Sequence, residues 1–190
     1  MCGWQMSIQY SLAMTLEEIF AGRLSKKLRV TRQRPNLSFK LVDEVMDLEL
    51  DVKPGHKAGT KWTFAGEGNQ SDMEAPAGDV VIVLEEKKHD RFTREGNDLV
   101  YTKSVSVKQS LLGLEFDIES ITGETLHVDC LHDRVGEPGY EKILPRKGMP
   151  NPKNPFEFGH LRIRFVVNWP REISLLNKVL LDKLTIQIFF

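Results

Sequence analysis

Cysteine is scarce in this chain. Its 190 residues hold only Cys2 and Cys130, too few for a disulfide framework or for a structural zinc site, which needs about four ligands. Such usage points to reducing surroundings, and a cytoplasmic location is expected. Long apolar runs are missing as well. Nothing approaches the roughly 20 apolar residues of a membrane span, and the opening MCGWQMSIQYSLAM has neither a basic leader nor a long apolar core. A soluble protein is the expectation. Neither sign of charge dominates: Lys plus Arg total 26 and Asp plus Glu 27, which removes any global reason to expect nucleic acid or a membrane surface. What remains is a chain long enough for one or two domains with a real hydrophobic core.

Catalytic patterns are absent too. The five histidines, His56, His89, His127, His132 and His160, are scattered, with no pair at a metal-ligand spacing. There is no Gly-x-Ser-x-Gly elbow and no phosphate-binding loop, and Gly66-Glu67-Gly68 lacks the third glycine of a dinucleotide site. His132-Asp133-Arg134 would alternate sides on an extended chain, a poor start for a dyad. Cys130 has no basic residue before Arg134 to lower its pKa, so it reads as inert. The chain is expected to be non-enzymatic, without a metal or cofactor.

What is present is a set of strands organised around Leu12 to Val30, LAMTLEEIFAGRLSKKLRV. Thr15 is placed to cap a short helix, Glu18 three residues on completes a capping box, and Gly22 stops it. Beyond the glycine, Leu24, Lys26, Leu28 and Val30 fall on one side of an extended chain and Ser25, Lys27 and Arg29 on the other. Arg23 to Arg34 carries six basic residues (Arg23, Lys26, Lys27, Arg29, Arg32, Arg34) and no acid, while Asp43 to Asp51 carries Asp43, Glu44, Asp47, Glu49 and Asp51. Opposite charges of this kind stabilise neighbouring strands. Further strands are expected at Ile8 to Met14, Val45 to Val52, Lys61 to Phe64 and Val80 to Leu84, with a loop from Asn69 to Ala77.

The pattern returns. Leu16 to Gly22 is echoed by Val107-Lys108-Gln109-Ser110-Leu111-Leu112-Gly113. The later order of Gly68 and Gly78-Asp79 plus an apolar strand is echoed by Gly148 and Gly159-His160 plus Leu161 to Phe165. Two copies of one plan predict a mostly β chain: two similar β-sandwich-like domains in tandem with short helices, at 6–97 and 98–169, meeting near Gly96 to Leu99. After Pro170, Ile173, Leu176, Val179, Leu180 and Leu184 follow helical spacing, so 170–190 reads as a terminal helix and tail. Its apolar stripe requires a partner, either the second domain or a second copy; a symmetric homodimer is the expectation.

The stretch Lys53-Pro54-Gly55-His56-Lys57-Ala58-Gly59-Thr60-Lys61-Trp62-Thr63-Phe64, followed by Gly66-Glu67-Gly68, Gly78-Asp79-Val80, His89-x-x-Phe92-x-Arg94-x-Gly96-x-Asp98-Leu99, Ser110-Leu111-Leu112-Gly113, Gly148-Met149-Pro150 and Gly159-His160-Leu161, closely resembles the C-terminal substrate-binding region of DnaJ-type co-chaperones. The resemblance covers nearly the whole chain in order. The four CxxCxGxG repeats that would interrupt the first domain are replaced by a connector from Gln33 to Asp43, as in the zinc-free class B (type II) members. A J-domain and its His-Pro-Asp motif are missing, so the chain is expected to be a C-terminal fragment. The resemblance implies a horseshoe of two β-sandwich domains and a dimerisation helix. It also implies a shallow groove at a sheet edge, where an extended client or the acidic Glu-Glu-Val-Asp tail of the seventy-kilodalton heat-shock chaperone adds as a strand. By matching positions that groove is Tyr10, Leu12, Leu28, Val30 and Phe92, with Lys26 meeting the carboxylates. Three positions depart from the family: it carries a smaller aliphatic residue at Tyr10, an aromatic one at Leu28, and a second lysine near Val45.

The leading expectation is therefore a peptide-binding co-chaperone region for unfolded clients. The alternative is an assembly scaffold that dimerises without client binding. Nucleic-acid binding by Arg23 to Arg34 ranks last, because that run has no interleaved aromatic residue.

Overall fold

The computed structural model describes residues 7–22, 24–133, 135–154, 156–172 and 178. The five residues expected to dimerise, Ile173, Leu176, Val179, Leu180 and Leu184, lie outside them.

Along the chain run β1 (Ile8–Met14), α1 (Leu16–Ala21), β2 (Leu24–Pro35), β3 (Leu41–Val52), β4 (Lys61–Phe64), β5 (Val80–Glu86), β6 (Phe92–Glu95), β7 (Asp98–Ser106), α2 (Val107–Leu112), β8 (Glu115–Glu119), β9 (Thr125–Asp129), β10 (Glu141–Leu144) and β11 (Leu161–Asn168). The fold is mostly β, in two similar units, as expected. In the first, β1 lies parallel to β5, β4 pairs antiparallel on the other side of β5, and β2 and β3 form a separate hairpin. In the second, β7 lies parallel to β11, β10 pairs antiparallel on β11, and β8 and β9 form the hairpin. Buried residues of both units form one continuous apolar cluster.

Each unit turns its corner with the same local chemistry. Thr15 Oγ1 accepts from the Glu18 N–H at 3.3 Å while the Glu18 carboxylate accepts from the Thr15 N–H at 3.0 Å. Ser106 and Gln109 repeat this reciprocal cap on α2. After each helix stands a glycine with positive φ, 52° at Gly22 and 80° at Gly113. A Cβ at Gly22 would lie 2.3 Å from the Pro54 nitrogen, and one at Gly113 2.5 Å from the Leu131 Cα. Conformation and close approach both require glycine there.

Two features differ from expectation. The connector between Gln33 and Asp43 is largely strand: β2 and β3 stay paired out to Pro35 and Leu41. Asn36 makes the shorter turn possible, because its side-chain oxygen accepts from the N–H groups of Ser38 and Lys40 at 2.9 and 3.0 Å. The expected seam near Gly96 is a hairpin turn between β6 and β7, which puts β6 in the second unit's sheet, in the order β10-β11-β7-β6. The expected loop from Asn69 to Ala77 is closed at its base by Gly68 N–H to Gly78 O and Gly78 N–H to Asn69 O.

A buried arginine ties the units together beside this shared core. Arg94, on β6, has a buried side chain and donates to the carbonyl oxygens of Gly55, His56 and Gly96 at 2.7–2.8 Å, with Glu86 at 3.3 Å. Gly55 in turn sits so close to Pro150 that a Cβ would fall 1.9 Å from its carbonyl oxygen.

Candidate peptide-binding site

The site is built on the free edge of β2. In an antiparallel ladder, successive residues turn their backbone groups alternately toward the partner strand and away from it. Thr31 shows which residues turn away: its N–H and C=O both bond the Tyr10 hydroxyl, which accepts at 3.2 Å and donates at 3.0 Å. Gln33 agrees, bonding Asn69 and Gln70 of the loop through the same two groups. The register with β3 is unbroken from Leu24–Val52 to Pro35–Leu41. Ser25, Lys27 and Arg29 therefore also direct their backbone groups outward, and among the described residues nothing bonds them. The result is an open edge of five residues, roughly 17 Å long at strand spacing, closed at its far end by Tyr10.

The side chains alternate as their spacing predicts. Lys26 and Leu28 are half-buried and Val30 is fully buried beneath the edge, while Ser25, Lys27, Arg29 and Thr31 face solvent. On β1, Leu12 is buried opposite Leu84 and Tyr10 is half-buried opposite Ile82. Val30 and Leu12 thus form the floor, and Leu28, Lys26 and Tyr10 remain partly accessible above it. Phe92 is placed elsewhere. It lies buried on β6, paired with Tyr101 of β7 and stacked on His89 at 5.2 Å between ring centres, in the second sheet.

The electrostatics of the edge are set by two features. Lys27 and Arg29 face Glu49 and Asp47 directly across the hairpin, at 3.0 and 3.2 Å, and Arg32 pairs with Glu44 and Glu67. The basic run is thereby neutralised by its own neighbours, which removes the charge excess a nucleic-acid surface needs. Lys26 bonds Glu18 at 2.7 Å, with its side chain 28% exposed. That contact, and the bond from the Thr15 backbone, hold the Glu18 carboxyl below its ordinary pKa. A depressed carboxylate stabilises the fold above the ordinary carboxyl range, and this contribution is lost as pH falls through the lowered value. Glu18 was invisible as a site residue in the sequence: it reads as a capping residue, and only the turn at Gly22 carries Lys26 back onto it.

Elsewhere, burial and Asp133 push the Cys130 thiol up to about 11, so the sulfur is protonated and unreactive at neutral pH. Among the described residues no cluster of His, Cys, Asp and Glu is arranged to hold a metal ion, and no helix is long and apolar enough to cross a membrane.

Fold and site together define a tandem β module with an unpaired strand edge above an apolar groove. The family model described as the DnaJ C terminal domain matches residues 8–170, and the chain belongs to that family. It is 32% identical over 177 residues to Protein SIS1 of Saccharomyces cerevisiae, an alignment covering 93% of this chain and 48% of the relative. It is 40% identical over 163 residues to Protein psi1 of Schizosaccharomyces pombe, covering 86% and 42%. With DnaJ homolog subfamily B member 5 of Homo sapiens it shares 35% over 168 residues, covering 88% and 47%. The chain thus spans less than half the length of these relatives. They are class B homologues, which agrees with the absence of CxxCxGxG repeats from this sequence.

Proposed function

We propose that this chain is the polypeptide-binding region of a non-enzymatic cytoplasmic co-chaperone. It holds extended apolar segments of unfolded proteins by adding them as a strand to the edge of β2. The observation that carries this reading is the run of unbonded backbone groups at Ser25, Lys27 and Arg29 beside half-buried Leu28 and Lys26. Backbone groups on an open edge supply affinity for any extended chain, and the alternating side-chain surface supplies the preference for apolar residues. In the same reading the first unit, expected over 6–97 but without β6, forms the binding domain, the second unit with β6 its companion, and 170–190 a homodimer contact. Sedimentation of a chain ending at Trp169 is expected to give a monomer, whereas a persistent dimer would refute the helix assignment.

The acidic tail of the seventy-kilodalton heat-shock chaperone fits the same edge, with Lys26 as the cation that meets its carboxylates. Lys26 is already engaged by Glu18, so an incoming carboxylate competes with an internal one. Glu18→Gln keeps an oxygen acceptor for the Thr15 cap and releases the lysine. It is expected to tighten binding of an acidic C-terminal peptide about two- to fivefold, as one partly exposed ion pair permits, without affecting an uncharged apolar peptide. Calorimetric titration of both peptides measures this. Unchanged affinity for the acidic peptide would remove Lys26 from the site.

A further inference from the structure

The two units meet around a cavity of about 310 Å³. The loop between β3 and β4 contributes His56, Lys57 and Thr60, the β6–β7 turn Asn97, and the loop between β10 and β11 Asn151 and Lys153. These segments are closely seated. A Cβ on Gly55 would lie 1.9 Å from the Pro150 carbonyl oxygen and 3.3 Å from Pro152 Cδ, and the Met149 N–H bonds the Asn97 carbonyl at 2.8 Å. Each wall is also held from within. Thr60 Oγ1 donates to the Lys57 carbonyl at 2.6 Å. Asn151 accepts from the Lys153 N–H at 3.1 Å through Oδ1 and donates to Glu157 at 3.0 Å through Nδ2. Small-molecule sites favour such junctions, where a few polar groups converge on a preformed cavity of this size.

The lining is positive and largely unengaged. Among the described residues no acidic side chain lines the cavity, and the side chains of His56, Lys57, Asn97 and Lys153 make no hydrogen bond or ion pair. Lys26, Lys27, Lys142 and Lys147 each meet a carboxylate, which sets Lys57 and Lys153 apart from them. His56 Nδ1 and Asn97 Oδ1 are buried without a partner, although buried polar atoms are normally hydrogen-bonded. Burial first, and then Lys53, hold the His56 ring below its ordinary pKa, with Asp51 opposing. At neutral pH the imidazole therefore offers one donor and one acceptor, and the Asn97 amide offers both kinds as well. The His56 ring stands edge-on to Trp62 at 5.5 Å between ring centres, which puts a fluorophore beside the cavity.

We propose that this cavity binds a small polyhydroxylated phosphate ester, a compound of the sugar phosphate class. Its phosphate is met by Lys57 and Lys153, which come to the cavity from different units, and its hydroxyls by His56 and Asn97. A hydroxyl both donates and accepts, which matches a neutral imidazole and an amide; an apolar guest would leave both unpaired. Ammonium groups meet a phosphate as point charges and need no fixed fork geometry. Spanning both units, the ligand fastens them from the surface as Arg94 does from inside. The site shares no residue with the β2 edge and is independent of client binding there.

Ribose 5-phosphate, ribose and inorganic phosphate are each titrated against the full chain, with tryptophan fluorescence and the thermal midpoint as readouts. Ribose 5-phosphate is expected to change the fluorescence saturably and to raise the midpoint, as a ligand of the folded state does. Ribose and inorganic phosphate each offer part of the contacts and should bind more weakly. Lys57→Ala with Lys153→Ala should weaken ribose 5-phosphate about tenfold, as the loss of two partly exposed ion pairs permits. Lys88→Ala with Lys108→Ala, at exposed positions outside the cavity, should leave it unchanged. All four lysines are exposed, so both variants should melt as the unmodified chain does without ligand, which separates lost binding from unfolding. The proposal is overturned if ribose 5-phosphate at millimolar concentration moves neither readout, or if the chain without Lys57 and Lys153 binds it as before. Inorganic phosphate binding as tightly as ribose 5-phosphate would also overturn it, by reducing the site to a pair of cations. Equal weakening in the Lys88 and Lys108 variant would do the same, by assigning the effect to general charge attraction.

Discussion

Leu28→Asp is expected to weaken binding of an extended apolar peptide by more than about tenfold while the chain stays folded. Leu28 is half-buried next to the open edge and faces Leu48 across the hairpin. In the bound state a client side chain would complete its burial. Full burial of a leucine relative to exposure is worth about 1.5–3 kcal/mol, and every 1.4 kcal/mol is a factor of ten. Aspartate forfeits that gain and must also desolvate a carboxylate under an added strand. An acidic peptide should suffer more than a neutral one, because the new charge stands on the Lys26 side of the strand. The folded chain tolerates the change because Leu28 is partly accessible already, unlike buried Val30 two residues on. Calorimetry against an unfolded client, with circular dichroism as the check on folding, decides the matter. Undiminished affinity in a folded variant would dismiss the groove. If that variant also failed to protect any client from aggregation while the unmodified chain failed equally, the scaffold alternative would gain ground.

Arg94→Ala carries the largest expected cost in stability, about 3–5 kcal/mol, the range for removing one partner of a buried, hydrogen-bonded charge. Its side chain is only 5% exposed. Burial alone lowers the pKa of the guanidinium and opposes its charge, and Glu86 offsets this in part. Alanine would leave the carbonyls of Gly55, His56 and Gly96 without their donor in a place where water enters poorly, at about 1–3 kcal/mol for each one left unsatisfied. Because Gly55 is pressed against Pro150, the loop cannot move toward the second unit to find new partners. Arg94→Lys should recover little, since a single ammonium cannot reproduce the guanidinium fork that spans two adjacent carbonyls and Glu86. Urea denaturation is the measurement, and a shift below about 1 kcal/mol would show that Arg94 does not fasten the units.

Much of the architecture was legible in advance, for identifiable reasons. A half-buried strand has a period of two, so Lys26, Leu28 and Val30 could be assigned to one face. A helix start needs a hydroxyl cap and a carboxylate three residues later, so α1 could be read from Thr15 and Glu18. The acids of Asp43 to Asp51 answered the cations of Arg23 to Arg34 because adjacent strands of opposite charge pair favourably, and the register places Arg29 on Asp47 and Lys27 on Glu49. The hairpin end was read as a connector from Gln33 to Asp43 because it stands where the resemblance places the CxxCxGxG repeats. Pairing there is sustained by Asn36, whose turn-forming bonds are local but do not show in hydrophobic periodicity.

Phe92 shows where sequence reasoning stops. Its place in the groove came from the resemblance, and its apolar character fits a core residue as well. Which sheet β6 joins depends on the path of the backbone after Glu86, and that path leads it to β7.

The sequence by itself determined the local elements, the glycine corners, the repeat and the family, because these depend on spacing and on residue chemistry over short distances. The tertiary structure alone decided which strand edges remain unbonded and which charges are answered. Lys26 meets Glu18, Tyr10 closes the β2 edge on Thr31, and Glu115 confronts Asp129. Hydrogen-bond satisfaction and ion pairing across a sheet depend on register between distant segments, and register is settled only when the whole core packs.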